Sequence, residues 1–314
     1  MANIWYIQVN RHCNNACHFC SNPSNWTNIS YERGIELIDD FIARKYRWVI
    51  FTGWEPTLSP DLSKWLLYTK EKGIENRMIS NGMMCSNLEF MMKLADSWLE
   101  LVHFSVFSCY EKIHDFLSDT PWSWKKLMIS ISNALSCGVR VQINTVINHY
   151  NQNHLDTTTK FLVKHFPQIQ HFVWNNLDPE MMRKTDTAWS TLPDFDTFSL
   201  PLKNAMRFLQ DTGRTFRAEK IPLCYIRWYE FASTETRKIV KDEERIVHFL
   251  DFREMIHETE WDHGKDTKCM KWDLKNICWG IYEKEKYYNY VKVYPQKLDD
   301  KELQDIILRI KNER

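Results

Sequence analysis

Glycine is scarce in this chain. There are 8 glycines in 314 residues, where an ordinary usage of about 7% gives roughly 22, so each survivor marks a place where the backbone needs it. Charge of either sign is in no excess, because 41 Lys and Arg balance 41 Asp and Glu. That balance argues against nucleic acid as the main partner, although a local basic patch can hide inside a zero sum. No apolar run approaches the ~18 residues of a membrane span. The start, Met1-Ala2-Asn3-Ile4-Trp5, lacks the basic-then-apolar pattern of a secretion signal. The expected address is therefore the cytoplasm, with no membrane partner. Internal repeats and low-complexity tracts are also missing. Apolar side chains are plentiful: 44% of residues are hydrophobic, which excludes a wholly disordered chain. The 9 cysteines are an odd number and unevenly placed. Without an export signal they speak for metal or redox chemistry rather than a disulfide scaffold.

The first two-thirds alternate strand-like and helix-period segments. Strands are expected at Ile4–Val9, Trp48–Thr52, Asn76–Ser80, Leu101–Phe107, Val139–Ile147 and His171–Trp174. Between them run amphipathic stripes such as Ile35, Ile38 and Ile42, then Leu62, Trp65 and Leu66, then Leu88, Met91, Met92 and Ala95, with further helices over Trp124–Cys137 and His154–His165. Gly73 and Gly138 stand where helices end and strands begin. Six β-then-α units imply parallel strands with right-handed crossovers, in a barrel or an open sheet, with ligands at the carboxyl ends of the strands. Past that point the order fades. The stretch 178–201 reads as a linker or long loop, Leu202–Gln210 as a helix and Asp300–Lys311 as a last helix, the rest showing little βα order.

Directly after the first strand comes Cys13-Asn14-Asn15-Ala16-Cys17-His18-Phe19-Cys20. Thiolates this close on one loop can hold three corners of an iron–sulfur cube and leave the fourth iron open. A zinc site needs a fourth ligand, which His12 or His18 could supply, and buried unligated thiols are the plain alternative.

The Cys-x3-Cys-x2-Cys loop, with aromatic Phe19 before its last cysteine, resembles the signature of the radical S-adenosylmethionine (radical SAM) superfamily. Thr52-Gly53-Trp54-Glu55-Pro56 is similar to that family's Gly-Gly-Glu-Pro motif, with Trp54 in place of the second glycine. Ser80-Asn81-Gly82, Phe104-Ser105-Val106 and Gln142-Ile143-Asn144-Thr145-Val146 also resemble family strand ends, in the right order. The resemblance covers residues 1–175 and implies a partial (β/α)6 TIM barrel. It implies that Cys13, Cys17 and Cys20 ligate a [4Fe–4S] cluster whose open iron takes S-adenosylmethionine (SAM). Gly53, Trp54, Glu55 and Pro56 would then run beside the methionine amine, with the Glu55 carboxylate as an acceptor. Phe19 would lie near the adenine, Ser80, Ser105 and Asn144 would serve the ribose and carboxylate, and Val173 would back the adenine. A flavodoxin- or ferredoxin-like protein would donate the electron.

The tail carries Cys224, Cys269 and Cys278. It resembles the SPASM/Twitch type of extension, an α+β region with an auxiliary iron–sulfur cluster, here with Trp272 where a further cysteine is usual and Asp273 as a possible fourth ligand. The expected division is a barrel over 1–200 and this region over 201–314. Cys109, just after the fourth strand, is a possible hydrogen donor to a product radical or a plain loop cysteine, and Cys137 reads as structural. Tail aromatics such as Trp228, Trp261, Trp272, Trp279, Tyr282 and Tyr288 read as core more than as a ligand wall. The expected activity is reductive cleavage of SAM and hydrogen abstraction from a peptide, giving a crosslink, an epimer or an oxidised residue. A start so close to the first strand counts against an N-terminal leader-binding domain, and hence against a peptide. The runner-up is oxidation or rearrangement of a sugar or nucleoside. An iron–sulfur electron carrier or zinc-stabilised binding module is the alternative of another class; it explains the cysteines but not the strand-end motifs.

Overall fold

The computed structural model describes residues 4–20, 26–178, 188–250, 254–258, 263–281, 284–288, 291–295 and 297–312. Its strands are β1 (Ile4–Gln8), β2 (Trp48–Thr52), β3 (Glu75–Ser80), β4 (Leu101–Ser105), β5 (Arg140–Ile147), β6 (His171–Asn176), β7 (Thr215–Glu219), β8 (Arg245–His248) and β9 (Met255–Glu258). The helices are α1 (Tyr31–Ala43), α2 (Leu62–Glu71), α3 (Leu88–Asp96), α4 (Glu111–Ser118), α5 (Ser123–Ser136), α6 (Leu155–His165), α7 (Ala188–Thr191), α8 (Phe195–Asp211), α9 (Thr234–Lys241) and α10 (Asp300–Asn312). Caps set several helix starts. Ser30 accepts from Arg33 N at 3.1 Å, Asn87 from Phe90 N at 3.0 Å and Asp194 from Thr197 N at 2.7 Å. Gly73 and Gly138 take φ of +70° and +77° after α2 and α5, the left-handed step that turns a helix into the next strand.

All strands belong to one sheet in the order β7-β6-β5-β4-β3-β2-β1-β8-β9. Every pair from β7 to β8 is parallel, and β9 adds antiparallel at the end. The parallel strands curl so that side chains from β1 through β8 line one interior cavity. The curl is not closed by backbone: among the described residues no ladder joins β7 to β8, and Arg245 reaches Glu219 across the seam at 3.2 Å. This is the expected partial barrel, extended. Alternate residues face outward and make the core with the helices: Val49, Phe51, Met78, Phe104, Ile143, Phe172, Trp174 and Phe216 are all buried against it. The inward set is mostly polar, including Arg77, His103, Gln142, Asn144, Glu219 and Arg245.

Two expectations about the last third, its lack of βα order and the 178–201 loop, need correction. Strands β7, β8 and helix α9 continue the βα order where little was expected, and the divide at residue 200 falls inside α8, with β7, β8 and β9 beyond it in the same sheet. The 178–201 stretch is partly helical. Capped at Asp194, α8 starts at Phe195 and buries Phe195, Phe198, Leu202, Ala205, Met206 and Leu209, carrying Pro201 within it. Residues 179–187 of that stretch, with Trp261 and Tyr282, lie outside the described residues. No helix among those described is long and apolar enough to cross a membrane.

Candidate active site at the carboxyl ends of the strands

Loop 9–20 leaves β1 and is framed by backbone pairs. Residues 26–29 run back beside it, with Ile29 N donating to Val9 O at 3.0 Å and Arg11 N to Thr27 O at 2.7 Å. Its far side is pinned to α4: Ala16 N donates to Ser118 O at 3.0 Å and His18 N to Leu117 O at 3.1 Å. Those carbonyls end a helix and have no partner within it. Cys13, Cys17 and Cys20 are all half-buried on this loop and in no disulfide. Cys13 Sγ accepts from Asn15 N and from Asn81 Nδ2, each at 3.3 Å. Burial, then the neighbouring Glu55 carboxylate, pushes its thiol up to about 12. Phe19 is buried edge-on against Phe107, centroids 4.8 Å apart. His12 stacks on Trp26 and His18 leans on Phe116. Among the described residues no three His, Cys, Asp or Glu side chains meet closely enough to hold a metal ion.

The second motif is built around Asn10, which sequence reasoning missed. Its carbonyl accepts from Trp54 N at 3.3 Å, while its side-chain amide pairs with Glu55 as a strand would, Nδ2 to Glu55 O at 2.7 Å and Glu55 N to Oδ1 at 3.4 Å. An amide just past the end of β1 was the available signal. Gly53 has φ +136°, and a Cβ there would stand 2.6 Å from Asn10 O, so this position is closed to any other residue. Trp54 keeps negative φ, so the bulky residue in place of a glycine brings no backbone strain.

The Glu55 carboxylate does not face the cleft as expected. It is fully buried, and its oxygens accept from Thr57 N at 3.2 Å, Thr57 Oγ1 at 2.6 Å, Ser80 Oγ at 2.8 Å and Asn81 N at 2.7 Å. Burial raises its pKa and these donors oppose the rise. Ser80 is spent on the same cluster, donating to Glu55 and accepting from Gly82 N at 3.0 Å. Both side chains, expected at a ligand, tie the end of β2 to the end of β3 instead. Asn81 extends the tie to Cys13, so one hydrogen-bonded chain links both motifs.

Asn144 and Val173 do face inward, lining a cavity of about 230 Å³ with Thr52, Ile79 and Asn175. Asn175 Nδ2 donates to Asn144 Oδ1. Ser105 is half-buried and in register with Asn144. Pro56 is buried at the first turn of a 3-10 segment. Cys109 lies against α6, where its backbone N–H donates to Thr158 Oγ1 at 3.2 Å, and burial raises its thiol.

The tail cysteines lie near enough to feel one another's charge, without meeting as a metal-binding group among the described residues. Cys224 sits in the 3-10 turn Leu223–Tyr225, Cys269 in Thr267–Lys271, and Cys278 after Asp273–Asn276. The backbone N–H groups of Leu223 and Gly280 lie beside the Cys278 thiol and that of Tyr294 beside the Cys224 thiol, each favouring the thiolate. Burial pushes the Cys224 thiol up to about 12, opposed by Tyr294 N and supported by the charges of Cys278 and Cys269. Asp273 is not free to complete a set: it is exposed, and its Oδ2 accepts from Leu298 N at 2.8 Å.

Residues 7–162 match the family model described as the Radical SAM superfamily. An AdoMet-dependent heme synthase of Nitratidesulfovibrio vulgaris is 26% identical over 148 residues, 46% of this chain and 40% of that protein. The chain thus matches less than half the length of that curated relative. Among solved structures, SuiB of Streptococcus suis bound to S-adenosylmethionine superposes with a TM-score of 0.66 at 14% identity, over 88% of this chain and 72% of that one. Native anSMEcpe with bound AdoMet gives 0.66 at 13% identity, over 99% and 100%. At such identities these two show the shared fold.

Proposed function

The chain belongs to the radical SAM superfamily through residues 7–162, and on that premise we propose that it modifies a peptide from the carboxyl mouth of its barrel. It is a radical SAM enzyme whose cofactors are a [4Fe–4S] cluster and SAM. When bound, these supply a 5′-deoxyadenosyl radical that removes hydrogen from an unactivated carbon. The residues present fit them. Three thiols share one short loop, two N–H groups already point at Cys13 Sγ, and hydrogen bonds of that kind stabilise a ligating thiolate. In this reading Cys13, Cys17 and Cys20 hold the cluster. Backbone groups of 53–55 face the ligand while the Glu55 carboxylate fixes their position, and Asn144 and Val173 line its inner wall. The three tail cysteines hold the auxiliary cluster, their thiols being near enough to feel one another's charge.

Whole-chain likeness carries the peptide reading. The fold of anSMEcpe, solved also with a Kp18Cys peptide, matches along 99% of this chain and 100% of its own, tail included. SuiB has likewise been solved with its precursor peptide SuiA. The curated heme synthases favour a second reading, a tetrapyrrole substrate, but their likeness is confined to 46% of the chain. Anaerobically reconstituted enzyme with SAM and dithionite is expected to form 5′-deoxyadenosine, and Cys17→Ala to form none. Stimulation of that yield by cysteine-containing peptides supports the peptide reading; stimulation by iron-coproporphyrin alone overturns it. Iron counted in a Cys13/Cys17/Cys20 triple Ala protein tests the tail: about four residual irons mark a second cube, and none removes it.

A further inference from the structure

The zero net charge hides a concentrated one. At the amino ends of the strands, opposite the motif loops, lies a cavity of about 830 Å³ bounded by β1 to β8, α9 and the end of α10. Its lining holds eight Lys and Arg side chains, Arg47, Arg77, Arg217, Lys241 and Lys311 among them, against the carboxylates Glu219 and Glu243. Both carboxylates are already paired, Glu219 with Arg245 at 3.2 Å and Glu243 with Arg237 at 3.8 Å. From just outside, Glu75 pairs with Arg77 at 2.9 Å and Glu258 with Arg245 at 3.8 Å, while Glu235 adjoins Glu219. Counting all five, cations still exceed carboxylates. Buried polar atoms without a hydrogen-bond partner also lie here: Trp48 Nε1, His103 Nε2 and Arg245 Nε. His103 and His171 are held neutral, near 3, by burial and then by nearby positive groups, so neither adds to the excess. The layer of Tyr6, His103, Glu219 and Arg245 is shared with the upper cavity.

We propose that this amino-end cavity binds a small oligoanion, a phosphate chain or a cluster of carboxylates, at the end of the barrel opposite the SAM mouth. Guanidinium forks suit both chemistries, and the volume falls in the range of about 300–1,000 Å³ typical of small-molecule sites. The test is calorimetric titration of the reconstituted enzyme with inorganic pyrophosphate and, separately, citrate at physiological salt. Saturable one-to-one binding of either probe, weakened at least about tenfold in Arg47→Ala/Arg217→Ala, is the expected result, and the preferred probe tells phosphate from carboxylate. Arg33→Ala/Lys160→Ala, which removes two remote exposed cations, is expected to bind as the parent does. Should the first variant lose its helical circular dichroism, Lys241→Gln replaces it, with the same expected direction. No saturable heat from either probe, or equal weakening by the remote pair, overturns the proposal.

Discussion

At Asn81 a single residue serves two motifs. Its backbone N–H holds Glu55 at 2.7 Å and its Nδ2 donates to Cys13 Sγ at 3.3 Å. Hydrogen bonds to a cluster sulfur favour the reduced state. Asn81→Ala is therefore expected to move the midpoint potential of the cluster to a more negative value, read by an EPR-monitored redox titration, with iron content unchanged. An unmoved midpoint removes the tuning role. His114 gives a second residue-scale expectation. It is buried, Phe107 N donates to its Nδ1 at 3.2 Å, and burial lowers its pKa to about 4. The unfolded chain binds that proton from pH ~6.5 downward. Stability from this group is therefore complete above about 6.5, falls as the pH drops toward 4 and levels off below, a loss of up to about 3 kcal/mol. Urea unfolding at a series of pH values should show a shallower acid limb in His114→Gln; parallel limbs would assign the loss to other groups.

Elements pack where glycine lets them. In α1, a Cβ on Gly34 would stand 2.2 Å from Trp65 Nε1 of α2, and that indole is fully buried and donates to Tyr31 O at 3.1 Å. Gly34→Ala gains about 0.5–1 kcal/mol of helix propensity but overpacks the helix pair at a cost of about 1–3 kcal/mol. The net expectation is a lower urea midpoint; a raised one would mean that Trp65 yields freely. The same scale explains what was legible. Strands β1, β2 and β4 to β6 announce themselves through apolar and β-branched runs. In β7 (TFRAE) and β8 (RIVH) the inward places hold Arg217, Glu219 and Arg245, so charge breaks the run that marks a parallel strand. Helix α4 (EKIHDFLS) is short and polar enough to pass as loop. Local spacing exposed the cysteine loop and the Gly53-to-Pro56 turn. The Glu55 cluster depends on partners as many as 26 residues apart, and a spacing pattern holds no trace of which way a carboxylate turns.

Over the whole molecule, one ion pair stands where a backbone ladder would close the barrel. Burial alone would raise the Glu219 pKa, but Arg245 with Lys238 brings it below the ordinary carboxylate value. Arg245→Met strands that carboxylate without its cation, and loss of one partner of such a pair costs about 3–5 kcal/mol. The double variant Arg245→Met/Glu219→Gln should regain most of it, with thermal unfolding as the measure; an additive double loss would deny the coupling. The division of labour between the two faces of the sheet reaches further. Cohesion resides in the shell of outward aromatics and aliphatics clasped by helices, while the lumen is furnished with amides, imidazoles and ions that contribute little to it. Such a lumen can be re-lettered, its paired ions changing together, without unmaking the vessel. One scaffold can thereby come to hold different guests while its folding stays the same.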